Sequence, residues 1–211
     1  MAGQSLIYSN ARVKAMENSL LTSEKITRMA YSDNLLDAVK ILYESNYGGG
    51  TTVDNPYAYG EILLMEEKRV VDFVREAMPD KSGLQTLLVV NDYHNAKCYL
   101  KGKFAKDLDL SLMLLPAGNI DLELLEESFQ KEDLTKLPQD MADAVKGIEE
   151  VAREEKVSPR FIDITLDKAM YKDILSALKK ANVKSLTKYW TANIDFINVS
   201  TMLRCKRLDA D

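Results

Sequence analysis

The sequence is poor in the residues that interrupt helices and in those that build disulfide frameworks or metal centres. Its 211 residues include 9 Gly and 5 Pro, where average usage gives roughly fifteen and eleven, so helices are favoured. Cys98 and Cys205 are too few for a disulfide framework and favour a reducing compartment. The single histidine, His94, excludes a His-rich metal site. No apolar run approaches the roughly twenty residues of a membrane span, and the N-terminus lacks a signal-peptide core.

Charge is distributed unevenly along a chain whose net charge is −5. Residues 1–106 carry equal numbers of acids and bases, residues 107–156 carry 14 acids and 5 bases, and residues 157–211 carry 10 bases and 6 acids. No segment is basic and aromatic enough to predict nucleic-acid binding. The acidic middle is interpreted as solvated helix faces in preference to a docking patch for a basic partner.

Apolar residues at three- and four-residue spacing predict helices along the whole chain. Asn55-Pro56 and Ser158-Pro159 each pair a capping residue with a proline at the first helical position. The segment from Leu84 to about Lys103 is assigned to a helix in preference to a short strand over its first residues. Further helices are expected at about 121–131, 139–156, 159–181 and 183–207. The sequence therefore predicts an all-α fold.

An internal repeat is the most informative feature of the sequence. Residues 91–103 read NDYHNAKCYLKGK and residues 194–206 read IDFINVSTMLRCK, at an offset of 103 residues. The repeated positions are Asp92, Tyr93, Asn95 and Leu100 in the first copy and Asp195, Phe196, Asn198 and Leu203 in the second. Because each copy follows a long amphipathic helix and a short break, duplication of a helical unit is predicted.

The acid and the amide of each copy are three residues apart, so they share one face of a helix. Such a pair can cap or bridge to the backbone of a neighbouring element. This structural interpretation is preferred over a partner-binding or catalytic pair. Both copies are then expected to have matching surroundings, with Asn95 and Asn198 each bonded to buried partners.

The remaining sequence offers no motif for catalysis, cofactor binding or metal binding. Gly48-Gly49-Gly50 lacks the Gly-Lys-Ser/Thr of a phosphate-binding loop and is interpreted as a helix stop. Acid pairs such as Glu66-Glu67 point about 100° apart on a helix and are interpreted as solvated charges. His94 is expected to pack or hydrogen-bond locally, the two cysteines to be small buried hydrophobes, and Trp190 to lie in the core. We therefore predict no catalytic, cofactor or metal residue.

Several segments together resemble the C-subunit family of V-type and A-type rotary ATPases, whose eukaryotic counterpart is the d-subunit family. The resemblance is carried by residues 8–17, which read YSNARVKAME, by Asn46-Tyr47-Gly48-Gly49, and by the two copies of the repeat. These segments span nearly the whole chain in the family's order. The resemblance implies an all-helical, funnel-like subunit made of similar units around a pseudo-threefold axis.

The resemblance also implies a function. Such subunits lie between the membrane rotor ring and the central shaft, transmit torque and do not hydrolyse ATP. The chain is therefore expected to be a non-catalytic, cytoplasmic subunit, peripheral to the membrane, of a V/A-type ATPase that pumps protons or sodium ions. Its expected partners are the ring and shaft subunits.

Two helical units are expected, residues 1–106 and 107–211, where the family usually has three. With one unit fewer, apolar flanks are expected to be exposed and the chain to self-associate as an arc or dimer. Two other functions stay open at this stage. The chain could be a helical adaptor of an unrelated cytosolic complex, or a small enzyme that uses His94 with Asp92.

Overall fold

The described part of the chain is built from helices joined by turns, short 3-10 helices and irregular segments. A computed structural model describes residues 2–52, 54–78, 82–104, 110 and 113–207, and no strand occurs among them. The α-helices are α1 (Ala2–Glu17), α2 (Ser23–Ala30), α3 (Leu35–Glu44), α4 (Tyr59–Ala77), α5 (Ser82–Phe104), α6 (Leu122–Gln130), α7 (Gln139–Glu154), α8 (Pro159–Ala181) and α9 (Lys184–Arg207). The predicted all-α fold is confirmed, and α5 is a helix throughout.

Side-chain caps fix where several helices begin. Ser158 accepts a hydrogen bond from the Phe161 N–H, and Pro159 occupies the first turn of α8. Asp121 caps α6 by accepting from the Glu123 N–H at 2.9 Å. A proline at the first helical position removes an N–H that would have no partner inside the helix. The cap-plus-proline signal at Ser158 therefore predicts the start of α8 correctly.

The main core lies between α5, α6, α7, α8 and α9. Its largest fully buried side chains include Tyr93 and Leu100 of α5, Leu125 of α6, and Met141 and Ile148 of α7. Helix α8 contributes a buried stripe at three- and four-residue spacing, namely Ile162, Leu166, Ala169, Met170, Ile174 and Leu178. Helix α8 therefore forms the centre of this bundle, with α5 and α7 packed along it.

Trp190 anchors α9 to this bundle, as predicted for a core residue. Its side chain is 5% exposed and lies edge-on to the rings of Tyr171 and Tyr189. The predicted boundary between two units, at 106/107, lies outside the described residues. Helix α5, which that prediction assigns to the first unit, packs against α8 of the second.

The N-terminal half has buried apolar side chains outside the main core. Val39, Ile41 and Leu42 of α3 are buried, as is Ile62 of α4. Gly48 has a φ of 65°, and a Cβ there would approach Ile62 Cγ2 to 3.2 Å. A residue here must adopt a positive φ and leave the space beside Ile62 free. Glycine does both, because it tolerates positive φ and carries no side chain. The predicted helix stop at this glycine run is confirmed.

Glu66 of α4 secures this turn from inside the protein. It is 8% exposed and accepts hydrogen bonds from the Gly48 N–H at 3.0 Å and from Arg69 Nη2 at 2.6 Å. The Arg69 guanidinium keeps the pKa of Glu66 below its usual value. The interpretation of Glu66 as a solvated charge is therefore wrong, because its carboxylate is the acceptor for an inward-facing backbone amide.

Candidate interaction site on the repeated helices

The first copy of the repeat, which we call the α5 motif (residues 91–103), is buried on two sides. Asp92 and Asn95 face the segment of residues 113–120, which we call the motif loop. Tyr93 and Leu100 are 0% exposed and belong to the main core. The motif therefore joins the apolar core to an irregular segment of the chain.

Both polar atoms of the Asn95 side-chain amide bond to the backbone of the motif loop. Its Nδ2 donates to the Leu115 carbonyl at 2.9 Å, and its Oδ1 accepts from the Leu115 N–H at 2.8 Å. The side chain is 1% exposed. A carboxamide matches the donor and acceptor of one residue's backbone, so Asn95 satisfies two polar groups of the loop at once.

Asp92 holds the other end of the motif loop. Its Oδ1 accepts from the Ile120 N–H at 2.9 Å, and its Oδ2 accepts from Asn119 Nδ2 at 2.9 Å. The Asn119 amide also donates to the Gln85 carbonyl at 2.9 Å. Gly118 passes so close that a Cβ there would overlap Asp92 Oδ1. A larger residue at this position would force the Asp92 carboxylate or the loop to shift.

Two acids and a tyrosine at the α5 motif are electrostatically unusual. Burial raises the pKa of Asp92 to about 6, against the opposing effect of its hydrogen bonds with Ile120 and Asn119. Tyr93 donates its hydroxyl hydrogen to Asp173 of α8 at 2.9 Å, and burial raises the pKa of both groups. These groups are structural acceptors and donors, because every one points at a neighbouring element.

The bases of the α5 motif pair with carboxylates on α8 and α7. Lys101 Nζ lies 2.6 Å from Asp163 Oδ1, and Lys97 bonds Asp167 one turn further along α8. Lys103 Nζ lies 2.7 Å from Glu149 Oε1 of α7. Because successive bases of α5 meet successively earlier acids of α8, the two helices run antiparallel.

The second copy, the α9 motif (residues 194–206), is helical but exposed. Phe196 is 72% exposed and Leu203 57%, where their counterparts in α5 are fully buried. Asp195 and Asn198 are also exposed. The expectation that the two copies have matching surroundings, with buried partners at Asn198, is therefore wrong. The physical reason is that no described element covers this half of α9.

Sequence reasoning misses the motif loop as the partner of the repeat. Pro116-Ala117-Gly118-Asn119 contains the residues of a break after α5, but nothing in it indicates its contacts. Asn119 lies 27 residues after Asp92, and no sequence pattern indicates that the two side chains bond. Only the bend of the chain back onto α5 brings the two together.

The other candidate residues show local contacts. His94 Nε2 lies 2.8 Å from the Met113 carbonyl oxygen and 3.5 Å from Cys98 Sγ, which confirms the predicted local role. Cys98 is buried, as predicted, and burial raises the pKa of its thiol. Cys205 is partly exposed, so the prediction that it is buried is wrong. Among the described residues, no group of three or more His, Cys, Asp or Glu side chains could hold a metal ion. None of the described helices has the length and apolar content to cross a membrane.

Comparison with known proteins gives one consistent family. The model of the family described as ATP synthase (C/AC39) subunit matches residues 9–211. The C subunit of an A-type ATP synthase from Pyrococcus abyssi is 24% identical over 209 residues, which cover 94% of this chain and 56% of the relative. The C subunit of a V-type sodium ATPase from Enterococcus hirae is 19% identical over 202 residues, covering 92% and 59%. The corresponding A-type protein of Pyrococcus horikoshii is 26% identical over 214 residues, covering 94% and 56%. The chain thus spans little more than half the length of these relatives.

Proposed function

The chain belongs to the ATP synthase (C/AC39) subunit family, and we propose that it is a non-catalytic central-stalk subunit of a V/A-type ATPase. In this role it links the membrane rotor ring to the central shaft at the cytoplasmic face and transmits torque. The family match from residue 9 to residue 211 is the observation that carries the proposal. The relatives' names describe them as subunits of ATP synthases and of a sodium ATPase.

A body that transmits torque must resist twisting, and the contact between α5 and α8 supports this property. These two 23-residue helices pack along a shared apolar seam. Three polar links cross the seam at successive turns, Tyr93–Asp173, Lys97–Asp167 and Lys101–Asp163. Apolar packing resists separation of the helices, and the spaced polar links resist sliding of one helix along the other.

Exposed apolar side chains at two places support binding to protein neighbours. Ile7 and Tyr8 of α1 and Ile26 of α2 are more than half exposed, and Tyr31, just after α2, is 85% exposed. The second place is the α9 motif. Large exposed apolar side chains that cluster on helices commonly mark protein–protein contacts. The proposal assigns them to ring and shaft subunits or to self-association of the chain.

The proposal retains two related helical units, residues 1–106 and 107–211, as its structural basis. Asp92 lies ten residues after the start of α5, and Asp195 lies eleven residues after the start of α9. Each of these helices follows another long helix, α4 or α8, after a short break. This similar placement supports a duplication, and the pseudo-symmetry of the units is part of the proposal.

Co-purification from native membranes tests the proposed assembly. A tagged chain should recover ATPase ring and shaft subunits after mild detergent extraction, and a tagged unrelated helical protein should not. Recovery of a different cytosolic complex, without ATPase subunits, would support the adaptor alternative and contradict the proposal.

Separate measurement of hydrolysis and pumping tests the proposed coupling role. Membranes from cells without the gene should lose ATP-driven ion uptake, while ATP hydrolysis by the catalytic subunits continues. The physical reason is that a coupling subunit carries torque and takes no part in the chemical step. Unchanged ion uptake in these membranes would refute the proposal.

A further inference from the structure

Four lysines cluster where α8 ends and α9 begins, and we call them the lysine turn: Lys179, Lys180, Lys184 and Lys188. All four are exposed. No aspartate or glutamate occurs from residue 174 to residue 194, although the chain as a whole has a net charge of −5. The lysine turn is therefore a local basic surface on an acidic protein.

The bend between the two helices brings these lysines together. Only residues 182 and 183 separate α8 from α9, and Asn182 has a left-handed conformation with a φ of 53°. The chain then folds back, because Trp190 of α9 lies edge-on to Tyr171 of α8. Three of the four lysines lie within one helical turn of this bend. The positive charges therefore share one end of the α8–α9 pair.

No acid of the described chain neutralises the lysine turn. Elsewhere on α8, charged side chains pair with neighbouring helices: Lys172 Nζ lies 2.6 Å from Asp140 Oδ1, and Asp163 and Asp167 pair with lysines of α5. The four lysines of the turn form no ion pair within the part of the chain that the structure describes. Their counter-charge therefore comes from solvent ions or from an anionic partner.

Two of these charges stand where a helix by itself disfavours them. Lys184 is the first residue of α9, at the positive end of the helix dipole. Lys188 lies one turn further on the same face, so the two ammonium groups repel each other. By contrast, Lys179 and Lys180 complement the negative end of α8. Helix stability therefore explains the lysines of α8 but not those of α9, which an anionic partner would stabilise.

We propose that the lysine turn binds the surface of a bilayer that contains anionic phospholipids. Clusters of about four to eight basic residues beside a membrane are attracted to such surfaces, each residue adding to the affinity. This binding is peripheral and needs no membrane-spanning helix. The inference rests on the charges of this turn and not on the proposed rotary role.

The side chains of the turn favour a lipid surface over an acidic peptide. Lysine carries a hydrated point charge on a flexible stem, whereas the planar fork of arginine fixes one carboxylate in a defined geometry. No arginine occurs from residue 161 to residue 203. Tyr189 is 53% exposed beside Lys188, and Leu175 is 42% exposed one turn before Lys179. An amphipathic ring and an apolar side chain beside basic residues suit the boundary between headgroups and acyl chains.

Vesicle sedimentation with the full chain tests the proposal. Vesicles of phosphatidylcholine with about one third phosphatidylserine should bind the chain, and vesicles of phosphatidylcholine alone should not. Each lysine near such a surface contributes about fivefold to binding, so the double variant Lys184→Gln/Lys188→Gln should bind about thirtyfold more weakly. Binding should also be lost at about 1 M salt, where charges are screened beyond about 3 Å.

Lys146→Gln/Lys156→Gln is the matched control, because both lysines are exposed and the double change alters net charge equally. This variant should bind like the unmodified chain. No binding to phosphatidylserine vesicles, equal binding to both kinds of vesicle, or equal loss in the two double variants would overturn the proposal. Saturable binding of hexaglutamate without vesicle binding would assign the turn to an acidic protein and also overturn it. These vesicles contain no ATPase subunit, so failure here is distinct from failure of the co-purification test.

Discussion

Asn95→Leu and Asn198→Leu make the sharpest test of the structure, because the same substitution falls on two copies of one motif. Leucine keeps the size and branching of asparagine but removes its donor and acceptor. At Asn95 this leaves the Leu115 N–H and carbonyl, now bonded at 2.8 and 2.9 Å, without partners. At Asn198 the side chain is exposed, so water replaces whatever the amide contacts.

The expected magnitudes differ clearly. Each orphaned polar group costs about 1–3 kcal/mol, and the half-buried position of Leu115 places both at the lower end. Asn95→Leu should therefore lower the free energy of unfolding by about 2–3 kcal/mol, which corresponds to a fall in Tm of about 4–12 °C. Asn198→Leu should stay within about 0.5 kcal/mol of the unmodified chain.

Urea unfolding followed by far-ultraviolet circular dichroism measures both variants. The midpoint of Asn95→Leu should fall while its m-value stays unchanged, which would show that stability and not compactness has changed. Asn95→Asp separates the two hydrogen bonds, since a carboxylate can still accept from the Leu115 N–H but cannot donate to its carbonyl. Equal effects at Asn95 and Asn198, or no effect at Asn95, would refute the assigned contacts.

The remaining predictions concern Asp92, Gly118 and Glu66. Burial raises the pKa of Asp92 in the folded chain to about 6. The stability contributed by its protonated form is therefore present below pH about 4 and is lost as pH rises through about 6. Asp92→Asn should remove this dependence, which urea midpoints measured from pH 4 to 7 would show. Gly118→Ala should destabilise strongly, because the new Cβ overlaps Asp92 Oδ1, whereas Gly147→Ala in α7 has open space and should stabilise by up to about 1 kcal/mol in thermal melts. Arg69 lowers the pKa of Glu66, so the contribution of Glu66 to the free energy of unfolding is present above pH about 4.5 and is lost as pH falls below it. Glu66→Gln should therefore reduce the loss of stability at acid pH. An unchanged loss would contradict the buried pair.

The helices could be predicted from the sequence because their signals are local. Ser158-Pro159 fixes the start of α8 through a side-chain cap and a proline. The helical stretch that contains α3 stops near Gly48, whose positive φ only glycine adopts readily. The apolar spacing of α8 also identifies the face that becomes buried. Nothing distant in the chain needs to be known for these assignments.

The candidate site could be predicted only in part, because its contacts are not local. The repeat places Asp92 and Asn95 on one face of α5, where both bond to the motif loop. It cannot identify Leu115 and Ile120 as their partners, since 20 and 28 residues separate donor from acceptor. The error at Glu66 has the same cause: its adjacent acid suggests solvent, but the Gly48 amide reaches it from 18 positions away.

The two motifs show that a shared sequence pattern fixes a helix but not an environment. Tyr93 and Phe196 occupy the same position of the repeat, yet one is 0% exposed and the other 72%. The tyrosine hydroxyl has a half-buried acceptor, Asp173, whereas phenylalanine has no polar group that requires one. The environment of each motif therefore depends on which elements pack against its helix, and the repeat itself does not specify those elements.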